Sequence, residues 1–103
     1  MTILALDIST SCTGYCILDP ELDSKQSMLD LGFIPLAKHK SHFSKANVVL
    51  ESLQKISKNY QITHIAIEEN LQSFRSGFSS AQTLSSLAKF NGIVAYLCQD
   101  LFG

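Results

Sequence analysis

The sequence predicts an α/β fold: a mixed sheet of four strands, three of them an antiparallel meander and the fourth parallel, accompanied by two helices. Three observations lead there. Short apolar runs recur at residues 2–8, 13–19, 28–36 and 63–68. The gaps between the first three are too short for anything but hairpin connections. A helical apolar period precedes the fourth run, and a second one follows it.

Residues 2–8 are almost continuously apolar, which suits a central strand buried on both faces. Ser9, Thr10 and Ser11 read as a turn, and residues 13–19 as a second strand. A polar, acidic loop at 20–26 leads to a third strand at 28–36. Gly32 marks a candidate bulge there, and Pro35 points to an edge or an end. Phe43, Ala46, Val49, Leu50, Leu53, Ile56 and Tyr60 then recur at helical spacing, with Ser41 or Ser44 as cap and Lys55 and Lys58 near the last turn. A strand at 63–68 that returns after this helix is a crossover strand, parallel to the first. Residues 69–77 form a polar loop. Ser79 or Ser80 caps a second helix running to about Leu101, with Ala81, Leu84, Leu87, Ala88, Val94, Ala95, Cys98 and Leu101 on its apolar face.

At 103 residues the chain has room for one domain and one core. Its hydrophobic content of 46% argues for a folded protein rather than a disordered one. Nine acids against eight bases leave a net charge of −1, so nucleic-acid affinity must come from local clustering or from bound cations. No apolar run reaches the ~18 residues of a membrane span, and no secretory leader is visible. Cys12, Cys16 and Cys98 lack metal-site spacing and are expected to be buried free thiols in a reducing, intracellular compartment.

The acids fall in informative places. Asp7 closes the first strand and Glu68 the fourth, so parallel pairing of those strands sets both carboxylates at one carboxyl edge of the sheet. Two carboxylates ending apolar strands lose solvation and repel one another unless a divalent cation sits between them. Hard oxygen ligands suit Mg²⁺ or Mn²⁺, with phosphate oxygens completing the shell. The plain alternative is an Asx-turn at Asp7 and a solvated strand end at Glu68. Glu69, on the opposite face of its strand, is a secondary candidate.

A resemblance shifts that balance. The segment Ile3-Leu-Ala-Leu-Asp7-Ile-Ser-Thr-Ser-Cys-Thr13-Gly14-Tyr15-Cys-Ile17 resembles the first motif of the RuvC Holliday-junction resolvases, which have a ribonuclease-H-like fold. Ile65-Ala-Ile67-Glu68-Glu69 resembles their second motif. Ser80 through Leu84 and Leu87-Ala88-Lys89-Phe90-Asn91-Gly92-Ile93-Val94-Ala95 resemble the helix that follows. The resemblance implies a structure-specific, crossover-junction endodeoxyribonuclease of DNA recombination and repair. It would cleave four-way junctions by two-metal phosphodiester hydrolysis, leaving a 3′ hydroxyl and a 5′ phosphate. Asp7 and Glu68 would be both catalytic and metal-binding, with two Mg²⁺ or Mn²⁺ ions in the complete enzyme. The family carries two further acids after a fifth strand, on a C-terminal helix. No residue of this chain matches them, Asp100 included. The single domain over 1–103 is thus expected to be C-terminally truncated, lacking that strand and helix, and weak or inactive alone.

The same resemblance places the loop at 70–78 near the junction centre, with Leu71 nearest the wedge position and Phe74 and Arg75 beside it. Lys38 and Lys40, within a basic cluster that also holds His39, His42 and Lys45, would track phosphates with Lys89 as a distant helper. A lid over the core and a solvated helix start are the structural alternatives. His64 is expected to be packed or hydrogen-bonded. Gly92 inside a helix implies a close helix approach, and the family's dimers suggest homodimerisation through the second helix. Two other functions compete: a nucleotide-binding half-domain of the actin, Hsp70 and sugar-kinase class, and a non-catalytic dimeric junction-binding module.

Overall fold

The computed structural model describes residues 1–68 and 81–103. β1 (Ile3–Asp7), β2 (Cys12–Leu18), β3 (Met28–Pro35) and β4 (His64–Ile67) form a single sheet in the order β3-β2-β1-β4. β2 is antiparallel to both β1 and β3, whereas β4 runs parallel to β1. This is the mixed sheet expected from the sequence. α1 (His42–Asn59) connects β3 to β4, and α2 (Ala81–Phe102) follows β4. The loop at 69–77, the Ser79 and Ser80 caps, Glu69, Leu71, Phe74 and Arg75 lie outside the described residues.

Both helices contribute to one core on one face of the sheet. Alternation along β1 sends Leu4 and Leu6 to that face, and Ile8 just beyond the strand joins them. Ile17, Ile34 and Leu36 add to it from the meander, Val49, Leu53 and Ile56 from α1, and Phe90, Val94 and Cys98 from α2. The residues between, Ile3, Ala5 and Asp7, occupy the opposite face. β1 is therefore central but not sealed on both sides. Ser41 caps α1 by accepting the Ser44 N–H at 3.0 Å, and Tyr60 N–H closes its end on Ile56 O at 2.9 Å.

Three local expectations change. The sheet irregularity sits between Ile17 and Leu18, not at Gly32. Gly32 pairs with Tyr15 and makes room for it, since a Cβ there would lie 2.5 Å from the phenolic oxygen. Gly92 makes no close approach among the described residues, because a Cβ added there meets nothing within 4 Å. Only Cys98 is a buried thiol; Cys12 is exposed and Cys16 half-buried. Phe90, fully buried and absent from the sequence-derived apolar face, is the largest side chain enclosed by the core. Pro35 does end an edge strand, and no described helix is long and apolar enough to cross a membrane.

Burial pushes the Cys98 thiol up to about 11 from an ordinary value of 9.0. The folded state thus holds this proton longer than the unfolded one. The stability it contributes is complete below pH 9 and is lost as pH rises through about 11. At pH 8 a maleimide should label Cys12 at least about 100-fold faster than Cys98, which becomes reactive only on unfolding. Equal labelling rates in a mass-resolved time course would contradict the packing described here.

Candidate functional site

Asp7 and Glu68 are brought together by the β1–β4 ladder. Its last pair is Leu6 with Ile67, and the Glu68 N–H then donates to Leu6 O at 3.1 Å. The next step of that register sets Glu68 beside Asp7, on strands about 4.8 Å apart. Ala5 pairs with Ala66, so Asp7 and Glu68 continue the same face, the one without helices. The start of the ladder is clamped as well. Thr63 N–H and His64 N–H both donate to Thr2 O, at 2.9 and 3.2 Å, and Thr2 N–H donates to the Thr63 hydroxyl at 3.0 Å.

On this face lies an open depression of 490 Å³ with Asp7 and Glu68 at one end. Ala5, Cys16, Leu31 and Ala66 contribute its apolar floor. Gly14 is the partner of Asp7 across the β1–β2 ladder and keeps the ground beside the carboxylate low. A Cβ there would come within 3.9 Å of the Asp7 Cβ. Both acids are exposed, so neither incurs the desolvation expected of a carboxylate closing an apolar strand. Among the described residues the one ion pair joins the Met1 ammonium to Glu21 at 2.8 Å, leaving Asp7 and Glu68 without a cationic partner there.

The donor set is two carboxylates on neighbouring strands, facing solvent and without an ion-pair partner among the described residues. That chemistry fits part of the oxygen shell of a hard divalent cation, which takes one or two protein carboxylates and completes its shell with water or phosphate. Among the described residues no group of three or more His, Cys, Asp or Glu gathers at one point. Asp100, exposed near the end of α2, belongs to the helical layer rather than to this face.

The turn at 9–11 leaves β1 just beyond Asp7 and is held by hydroxyls of Ser9, Ser11 and Thr13. Ser9 N–H reaches the Thr13 Oγ1 at 3.4 Å, and Ser11 N–H donates to the Ser9 Oγ at 3.3 Å. Two backbone amides that a phosphate-cradling turn would need are therefore already engaged. This speaks against the nucleotide-binding alternative.

The described lysines are elsewhere. Lys38 and Lys40 are exposed between β3 and α1. Lys89 lines an open groove on the helical layer with His42, Phe43, Gly92, Ile93 and Tyr96. Among the described residues, no lysine or arginine lines the depression around Asp7 and Glu68. His64 is exposed and hydrogen-bonded, its Nδ1 2.9 Å from the Thr63 hydroxyl. His42, treated in the sequence as one of a basic run, is a packing residue: its Nε2 lies 2.9 Å from Ser86 Oγ and its ring 5.7 Å from that of Phe90.

No family model matches the chain. It is 28% identical over 94 residues to the crossover junction endodeoxyribonuclease RuvC of Fusobacterium nucleatum, an alignment covering 91% of this chain and 46% of that protein. With RuvC of Heliobacterium modesticaldum the identity is 30% over 69 residues, 67% of this chain and 42% of the relative. The chain therefore spans less than half the length of these relatives. Thermus thermophilus RuvC in complex with a Holliday junction substrate superposes with a TM-score of 0.73 at 8% identity, over 98% of this chain and 59% of that one. A second structure of Thermus thermophilus RuvC gives 0.69 at 12% identity with the same coverage. The fold is ribonuclease-H-like, and the sequence is RuvC-like.

Two like charges held side by side, with no counter-charge among the described residues, oppose folding. Asp7→Asn removes one of them and breaks no hydrogen bond of the described structure. The variant should melt at the same temperature as the parent or up to about 2 °C higher, at low ionic strength. A clear fall in Tm would mean that the Asp7 carboxylate has a structural partner.

Proposed function

We propose that this chain, RuvC-like in sequence and in fold, carries the first two acids of a divalent-cation-dependent endonuclease that acts on four-way DNA junctions inside the cell. The supporting observation is that Asp7 and Glu68 line one depression, one step past the last pair of the parallel β1–β4 ladder. Asp7 and Glu68 would offer carboxylate oxygens to Mg²⁺ or Mn²⁺. What such a cation supplies is a lowered water pKa and positive charge for the attacked phosphate. The protein's part is positional. The β1–β4 register holds the two carboxylates beside each other, and Gly14 leaves the floor clear for a phosphodiester. Leu71, Phe74 and Arg75 remain candidates for contact with the junction, with Lys38, Lys40 and Lys89 as phosphate-tracking helpers.

Two carboxylates are half of the four acids the RuvC pattern calls for, and no third acid joins them among the described residues. On this reading cleavage by this chain alone would be weak or absent, while cation binding would survive in part. Calorimetric titration should detect Mn²⁺ binding that Asp7→Asn and Glu68→Gln each weaken by about tenfold or more. Gel shift should show preference for a four-way junction over linear duplex. Mn²⁺ affinity unchanged by both substitutions would refute the metal reading. Junction preference that survives both substitutions, without any metal dependence, would favour a non-catalytic binding module. Robust magnesium-dependent nicking abolished by Asp7→Asn would refute the incompleteness.

The second helix would also form a homodimer contact. Tyr96 is 67% exposed, Phe43 across the groove is 78% exposed, and Gly92 between them lets another backbone approach. Light scattering at high concentration should report a dimer, and Tyr96→Glu should return it to a monomer. A monomeric mass for the parent would dispose of this contact.

A further inference from the structure

We propose that Thr13 is a positioning residue for Asp7: its buried hydroxyl locks the turn immediately beyond the carboxylate and so sets the geometry in which Asp7 meets a divalent cation. This rests on the metal reading above and adds a residue to it.

Thr13 is the buried polar side chain of the described structure, fully enclosed on the helical face of β2. Its Oγ1 donates to Ser9 O at 3.1 Å and accepts from Ser9 N–H at 3.4 Å. Both backbone polar groups of Ser9 are thus satisfied by one hydroxyl from the far side of the turn. The rest of the turn hangs on Ser9 and Ser11. Ser9 Oγ and Ser11 Oγ share a hydrogen bond of 3.1 Å, and Leu36 N–H donates to Ser11 O at 2.9 Å.

Asp7 depends on this turn through its backbone. No described side chain bonds or pairs with its carboxylate, so its direction follows from its backbone. On one side that backbone is held by the ladder pairing with Gly14, the residue next to Thr13. On the other it continues through the fully buried Ile8 to Ser9. Thr13 therefore fixes the far anchor of Asp7 while lying across the sheet from it, out of reach of any ligand. Without the hydroxyl, the Ser9 N–H and C=O lose their partner in a part-buried setting and the turn must shift to find others. A shift on the order of 1 Å is enough to spoil ligand geometry.

The test compares three forms of the full chain by Mn²⁺ titration and by residue-resolved amide hydrogen exchange. Thr13→Val keeps the shape and removes the hydroxyl; Thr13→Ser keeps the hydroxyl and removes a methyl. Thr13→Val should weaken Mn²⁺ binding about five- to tenfold. It should speed exchange selectively at residues 7–14, with Leu4 and Ile17 unchanged. Thr13→Ser should bind Mn²⁺ within about twofold of the parent although it packs less well. Should Thr13→Val fail to fold, Thr13→Cys, of similar volume and weaker hydrogen bonding, replaces it under the same criteria. Parental affinity in the valine variant, or a serine variant no better than valine, overturns the proposal, because packing rather than the hydroxyl would then be at work. A uniform rise in exchange across the sheet overturns it too. Asp7→Asn is the separate control: if it leaves Mn²⁺ binding intact, the metal reading has failed, and the exchange pattern alone decides whether Thr13 holds the turn.

Discussion

The parallel pairing of β1 with β4 is the constraint on which the candidate site depends. Asp7 and Glu68 are 61 positions apart, and only the crossover through α1 makes them neighbours. Strand periodicity makes that pairing unforgiving. A slip of one residue would turn Glu68 onto the helical face and bring Ile67 to the open one. Two devices resist the slip. Backbone hydrogen bonds from Thr63 and His64 converge on Thr2 O at the start, and Glu68 N–H holds Leu6 O at the end. Between them, Ile65 and Ile67 pack against the core and would be lost from it by any other register.

The same ladder separates holding from reacting. Leu4, Leu6 and Ile8 are nearly or fully buried, while Asp7 between them reaches solvent. A strand that alternates in this way anchors an exposed carboxylate rigidly without taking it out of water. The protein avoids the penalty of a buried charge and still fixes the backbone beneath it. Electrostatic repulsion between the two acids is the remaining cost, and a cation would convert it to attraction.

Much of this was legible in the residues. Element order, strand polarity and the meeting of Asp7 with Glu68 followed from short gaps, helical periods and the position of acids at the ends of apolar runs. What periodicity could not supply was the outcome of packing. The run at 2–8 looks two-sided because Ile3 and Ala5 are apolar, yet only one face has helices on it. Gly32 looks like a bulge, whereas its lack of a side chain is taken up by the ring of Tyr15 from the neighbouring strand. Phe90 stands four residues before Val94 and eight before Cys98, the spacing of its own buried face, but the apolar residues crowding that helix obscured the stripe. The lysines were legible only as a composition: Lys89 belongs to the helical layer, across the sheet from the acids, a placement that periodicity does not give.

A sheet with helices on one face has a second apolar wall. Leu31 is 66% exposed and Phe33 70%, continuous with Ala5, Cys16 and Ala66. With a net charge of −1, long-range repulsion between copies is feeble. Such a wall favours self-association more than a net charge of −1 opposes it, and both warming from the cold and kosmotropic salts strengthen that apolar attraction.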